Sequence, residues 1–260
     1  MLFLLSPHVK ANELSGFSGY WFQLDEQLVN SFIGYNSVNH VAAIGATSML
    51  VSYDIDWKYY AFFNNNKRLQ FATFPAVIIG GLGPVLIPAY LHYTALQHND
   101  DHRLYTAYAV GQATILSIAI TSFYKSLTGR LEPGVFRESR TLEQSKQFEF
   151  GFWNNGIFNG WPSGHATTAM AIATSLSEMN PNNTQAHIWW YLGALYISFG
   201  VSTNIHWLSD AVAGSLIGYG IGKSVGRAFY AKSQNKSHND TMILPFIGSE
   251  AAGILISKQF

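Results

Sequence analysis

Two short clusters place histidines where an imidazole can do chemistry. The first is Trp161-Pro162-Ser163-Gly164-His165-Ala166, which opens an apolar segment. Serine is a favoured helix N-cap, and the unpaired N–H groups of a first turn form an anion site. A histidine in that turn can donate a proton to a departing oxygen. The plain alternative is an ordinary cap beside a solvent-facing ring. The second cluster is His206-Trp207-Leu208-Ser209-Asp210. Positions i and i+4 share a helix face, so the Asp210 carboxylate can reach one imidazole nitrogen. That fixes the tautomer, leaves the other nitrogen's lone pair free for attack, and stabilises the positive ring that follows. The plain alternative here is a capping aspartate beside an interfacial histidine. His and Asp also ligate metals, but no further ligand cluster has recognisable spacing, so no metal and no cofactor are expected. Lys125 closes a charge-free helix and precedes Ser-Leu-Thr-Gly-Arg130-Leu-Glu-Pro133. Alone it reads as a snorkelling lysine.

Taken together, the three clusters resemble the signature of the type 2 phosphatidic acid phosphatase superfamily, which includes bacterial acid phosphatases and vanadium haloperoxidases. The family pattern is Lys, six residues, then Arg-Pro; then Pro-Ser-Gly-His; then Ser-Arg, five residues, His, three residues and Asp. The match spans Lys125 to Asp210. The resemblance implies that His206 is a nucleophile, Asp210 its orienting partner and His165 a general acid. It also implies that Lys125, Ser163 and the Gly164 amide hold phosphate oxygens. Two family positions differ. Glu132 stands where Arg should precede Pro133, and Phe199-Gly200 replaces Ser-Arg. Both family arginines bind phosphate, and losing such a donor costs on the order of 10²-fold. A carboxylate in such a place would also repel phosphate. We therefore expect Arg130 to turn inward as a replacement, with Arg137 or Arg140 supplying the second donor. The alternatives are a site altered for another substrate or acceptor, and a degenerate, non-catalytic member. The haloperoxidase branch is disfavoured, because its vanadate pocket relies on the same two arginines.

These clusters need helices to hold them. The chain is 260 residues long, 48% apolar, 15% aromatic and only 12% charged, with zero formal net charge and no cysteine. Neutrality removes an electrostatic case for nucleic-acid binding. Lack of cysteine excludes disulfides and thiolate chemistry. The opening apolar run is too short for a secretory signal and no basic segment precedes it, so no cleaved signal is expected. Charged residues are missing between Glu26 and Asp54, Arg68 and Asp100, Arg103 and Lys125, Glu149 and Glu178, and Glu178 and Asp210. A membrane helix needs roughly 20 largely apolar residues. The strongest candidates are Phe71–His92, Leu104–Tyr124 and Ile188–Ile205; Val38–Tyr53, Ala166–Leu176 and Trp207–Val225 are weaker. A soluble all-helical domain is the alternative.

The expected fold is thus all-α: a six-helix membrane bundle with a long extramembrane loop between helices three and four. Residues 1–37 form an N-terminal interfacial segment, with an amphipathic helix over Leu24–Ile33. Residues 38–228 form the phosphatase-like core, and 229–260 a polar tail that admits a terminal strand or hairpin. Asp54–Gln70 reads as a loop or surface helix. In this layout Lys125, Ser163 and His206 fall on one membrane face. Lys and Arg divide eight to seven between the faces, so the positive-inside rule does not orient them.

The expected function is a membrane lipid phosphatase that hydrolyses a phosphomonoester or diphosphate through a phosphohistidine. Its expected partners are a phosphorylated lipid and the membrane, with no nucleic acid. The alternatives are a lipid phosphotransferase with the same nucleophile and a non-catalytic lipid-binding member. The family implies an integral protein of a bacterial inner membrane with its site facing the periplasm, a soluble periplasmic protein being the alternative.

Overall fold

A computed structural model describes residues 16–133, 140–154, 156–157, 160–238, 241–247 and 252–258. Among the described residues, the regular structure is helical apart from one C-terminal hairpin. Its helices are α1 (Leu24–Phe32), α2 (Ser37–Ser52), α3 (Ile55–Asn65), α4 (Lys67–His98), α5 (Asp101–Thr128), α6 (Leu142–Ser145), α7 (Gly164–Met179), α8 (Thr184–Asn204) and α9 (Leu208–His238). Strands β1 (Thr241–Ile247) and β2 (Ala252–Lys258) pair antiparallel, with Leu244 opposite Leu255.

The long helices start and stop where their sequences dictate. Asp100 caps α5 by accepting from the Arg103 N–H at 2.9 Å, and Gly129 ends that helix in the left-handed region at φ +50°. Ser163 caps α7 and Asn183 caps α8 through side-chain oxygens. Helices α4 and α5 are long and apolar enough to cross a membrane, with mean hydropathies of 1.8 and 1.3. They occupy opposite situations. The apolar stretch of α5 is 78% buried and forms the axis of the bundle, whereas that of α4 is 17% buried. Helix α4 turns Ile78, Leu82, Val85, Leu86 and Tyr90 outward, and α8 does the same with Ile188, Trp189, Leu192 and Leu195. The expected spans Phe71–His92, Leu104–Tyr124 and Ala166–Leu176 fall within α4, α5 and α7, and Val38–Tyr53, Ile188–Ile205 and Trp207–Val225 overrun α2, α8 and α9 by one residue. Of the six helices, only α4 and α5 meet the length and hydropathy needed to cross a membrane among the described residues.

The tightest seam joins α7 to α9. Gly214, Gly218, Gly222 and Gly226 recur every four residues and so line one face of α9. A Cβ at Gly218 would lie 2.2 Å from the Thr167 carbonyl oxygen, and one at Gly222 2.4 Å from that of Ala171. Only glycine allows this approach, the small-residue solution that membrane helices favour. The 163–165 motif opens α7 and the 206–210 motif opens α9, so this seam sets their separation.

The segment read as a loop or surface helix is α3 followed by the first residues of α4, and its Asp56 is 1% exposed. The helix alternative holds, but polar and aromatic composition did not show that this helix sends one carboxylate into the protein.

Candidate functional site

The C-terminus of α5, the N-terminus of α7 and the turn between α8 and α9 meet at one end of the bundle. Their main chains are joined, since the Ser163 N–H donates to the Asp210 carbonyl at 3.0 Å. The Ser163 hydroxyl accepts from the Ala166 N–H at 3.4 Å, leaving the start of α7 presented to the site. His165 in the first turn of α7 is half-buried, and its ring centre lies 6.4 Å from that of His206, inclined by 64°. Helix α4 backs this ring: a Cβ on Gly80 would come within 3.2 Å of its Cδ2, and one on Gly81 within 3.6 Å of its Nε2.

Asp210 occupies the third position of α9. Its Oδ2 accepts from the Trp207 N–H at 3.1 Å, the carboxylate half of a capping box. The same oxygen lies 3.5 Å from His206 Nδ1. Glu132 Oε1 is nearer to that nitrogen, at 3.2 Å. Neither contact has hydrogen-bond geometry, so Nδ1 stands between two acceptors and is seated on neither. The His206–Asp210 contact is buried, at 3% and 0% exposed, whereas the Glu132 side chain is 16% exposed. Sequence spacing identified Asp210 as a partner of His206; Glu132 is a second one that it missed. Glu132 Oε1 also accepts from the Gly160 N–H at 2.8 Å and lies 3.9 Å from Lys125 Nζ. Gly160 is required there: its φ is +110°, and a Cβ would come within 3.0 Å of the Arg130 carbonyl oxygen. Lys125 itself is only 7% exposed and faces the same space as Glu132.

Arg130 turns inward, but not as a phosphate ligand. Its NH1 donates to Ser209 Oγ at 2.6 Å and Asp210 Oδ1 at 2.5 Å. Its NH2 donates to Asp56 Oδ2 at 2.7 Å and the Ser145 carbonyl at 2.8 Å. Phe148 lies across the guanidinium at 4.7 Å. Both terminal nitrogens are thus used within the protein, and only the buried Nε–H lacks an acceptor. A single such donor cannot form the two-pronged grip expected of a phosphate arginine. Arg130 instead fixes Asp210, and Asp56 fixes Arg130. Asp56 also accepts from the Ser209 N–H at 2.8 Å and the Ser209 hydroxyl at 2.5 Å. No motif pointed to Asp56.

The other arginine replacements fare differently. Arg140 donates to the carbonyl oxygens of Glu132 and Pro133, at 2.6 and 3.3 Å, and so braces the loop that carries Glu132. Arg137 lies outside the described residues. At the second altered position the reason for the missing arginine is steric. A Cβ on Gly200 would meet the Ala76 Cβ at 2.3 Å and the Thr73 carbonyl oxygen at 2.7 Å. Helix α4 fills the room that a side chain would need.

The assembled groups are an imidazole backed by carboxylates, a second imidazole, a lysine and a capped helix start. Such a set can attack an electrophilic centre, protonate a leaving oxygen and hold an anion. Among the described residues no three His, Cys, Asp or Glu side chains are set to share a metal ion. A family model described as the PAP2 superfamily matches residues 106–234, from the first turns of α5 into the last turns of α9. No curated protein and no solved structure is similar enough to match the chain. The matched span contains Lys125, Glu132, Ser163, His165, His206 and Asp210; Asp56 and α4 lie before it.

Proposed function

The chain belongs to the PAP2 superfamily, and on that premise we propose that it is an integral membrane phosphatase acting on a phosphorylated lipid. The carrying observation is the meeting of His165 and His206, 6.4 Å apart, at the capped start of α7. With its Nδ1 turned to Glu132 and Asp210, His206 offers its other nitrogen, Nε2, to phosphorus. Its lone pair forms the N–P bond while the P–O bond to the lipid breaks. The leaving oxygen keeps that electron pair and takes a proton from His165. Water then attacks phosphorus, gives a proton to His165, and the N–P electrons return to His206. Lys125, Ser163 and the Gly164 amide would hold the other phosphate oxygens, whose charge grows in each transition state.

Two features support a lipid substrate. Helices α4 and α8 carry outward apolar belts, and α4 is of membrane-crossing length. Exposed apolar surface of this extent marks contact with a membrane or partner. An apolar groove of about 230 Å³ also runs between α4, α7 and α8, lined by Ile79, Gly80, Ile87, Ile172, Trp190 and Ile197. Gly80 both lines this groove and faces the His165 ring, which a Cβ there would approach to 3.2 Å, so an alkyl chain in it would end beside the reacting centre. In this reading α2, α4, α5, α7, α8 and α9 all cross the membrane, with the site at one surface.

The test is phosphate release from phosphatidate, other phospholipid monoesters and polyprenyl diphosphates, without added metal. The wild type should release phosphate from at least one class, and His206→Ala should abolish it. Equal release by both proteins, or none from any class, would refute the reading.

A further inference from the structure

Glu132 has so far looked like a defect, an acid in the place of a phosphate-binding base. Its surroundings argue otherwise. One carboxylate oxygen, Oε1, is met by the Gly160 N–H at 2.8 Å, His206 Nδ1 at 3.2 Å and Lys125 Nζ at 3.9 Å. The loop beneath it is fixed from two sides. Trp207 Nε1 donates to the Leu131 carbonyl at 2.7 Å, and Arg140 to the Glu132 carbonyl at 2.6 Å. A residue held by this many directed contacts is built in.

Its charge completes a chain. Lys125 and Arg130 are cations, and Glu132, Asp210 and Asp56 are carboxylates, each within 4.0 Å of the next group or of His206. With His206 neutral the cluster carries one net negative charge. Phosphorylation at Nε2 makes the ring itself cationic, with the anionic phosphoryl oxygens on its far side, so Glu132 and Asp210 face the positive edge of the ring at Nδ1. In a buried site an unbalanced charge is costly and a matched one is not. His165, the remaining titratable group facing His206, lies across the site on α7.

We propose that Glu132 is a positioning residue for His206. It and Asp210 flank Nδ1 at 3.2 and 3.5 Å, and together they place negative charge beside the ring that phosphorylation makes cationic. This rests on the phosphatase reading above and adds to it a role that the family pattern assigns to no residue at this position.

The experiment uses the full chain in lipid nanodiscs with a hydrolysed substrate. Rapid alkaline quenching, which spares the acid-labile N–P bond, separates phosphoenzyme formation from KM. Glu132→Gln is isosteric and keeps an acceptor for the Gly160 N–H, and a thermal melt confirms its fold. It should slow phosphoenzyme formation about tenfold or more, the factor that one nearby opposite charge typically gives a charged state, while KM stays within about twofold. Glu132→Arg, which recreates the family residue, should be slower still. Unchanged or faster formation in Glu132→Gln, an effect confined to KM, or gain of activity in Glu132→Arg would overturn the proposal. A second readout needs no turnover. In ¹⁵N-histidine spectra His206 should carry its proton on Nδ1 in the wild type and shift toward a tautomer mixture in Glu132→Gln. If no substrate is hydrolysed, the phosphatase reading fails by itself, and this tautomer comparison decides the role of Glu132. Identical spectra would overturn it.

Discussion

The guanidinium of Arg130 and the carboxylate of Asp210 meet at 2.5 Å, both wholly shielded from solvent. Asp56 closes the other side of the guanidinium at 2.7 Å. Asp210 thus faces His206 with one oxygen while its other is held by a buried charge. The carboxylate beside the proposed nucleophile is thus positioned by Asp56 of α3 and by Arg130, two residues past the end of α5.

Breaking this bracket should cost both fold and function. Removing one member of a buried ion pair typically destabilises by about 3–5 kcal/mol. Arg130→Met should therefore lower the melting temperature and reduce kcat by orders of magnitude. Asp56→Asn keeps the size of the side chain and should reduce kcat more than it raises KM, because Asp56 does not face the substrate. Thermal melts and steady-state kinetics of the two variants check this; full activity in Arg130→Met would contradict the assigned role.

His165 should matter in proportion to the reluctance of the leaving group. General-acid catalysis contributes about 10²–10⁴-fold where the leaving oxygen needs a proton. His165→Ala should lose on that order against an alkyl phosphate and far less against an aryl phosphate with an acidic phenol. Equal losses on the two substrates would assign His165 another task.

Restoring the second family arginine should fail. In Gly200→Arg the new Cβ would start 2.3 Å from the Ala76 Cβ. Forcing bulk into a packed interface costs about 1–3 kcal/mol. A lower melting temperature with no gain in kcat/KM is the expected result.

The glycine seam should behave as part of the site. Gly218→Leu must push α9 from α7, since even a Cβ lies 2.2 Å from the Thr167 carbonyl oxygen. That would alter the 6.4 Å between the two imidazoles, so both stability and kcat should fall. Gly45→Ala on α2, where a Cβ meets nothing within 4 Å, is the control and should change neither.

Much of this site was legible because it is local. Ser163, His165, His206 and Asp210 lie at helix starts, where capping residues and i, i+4 spacing are written in consecutive positions. The long helices were legible for a similar reason, as stretches free of charge. The groups that were missed or misassigned act across the chain. Asp56 and Arg130 are 74 positions apart and meet only after folding. Glu132 was read as a phosphate-repelling substitution because a pattern compares residue types at a position, and it cannot show that the side chain faces an imidazole. Gly200 was likewise counted as a lost arginine, although the reason lies in α4. The four-residue repeat of glycines in α9 was open to inspection, but its partner on α7 was not.

The Ser163–Asp210 main-chain bond and the glycine seam lock the starts of α7 and α9 together, so both imidazoles travel as one body. On the proposed function, substrate would then be admitted by an element outside that pair. Among the described residues α4 also walls His165, through Gly80 and Gly81, and it is a peripheral helix interrupted by Pro75, Pro84 and Pro88. Proline inside a helix removes a backbone hydrogen bond and permits bending there. On the proposed function, the chemistry would ride on the rigid pair and access would be left to the compliant neighbour.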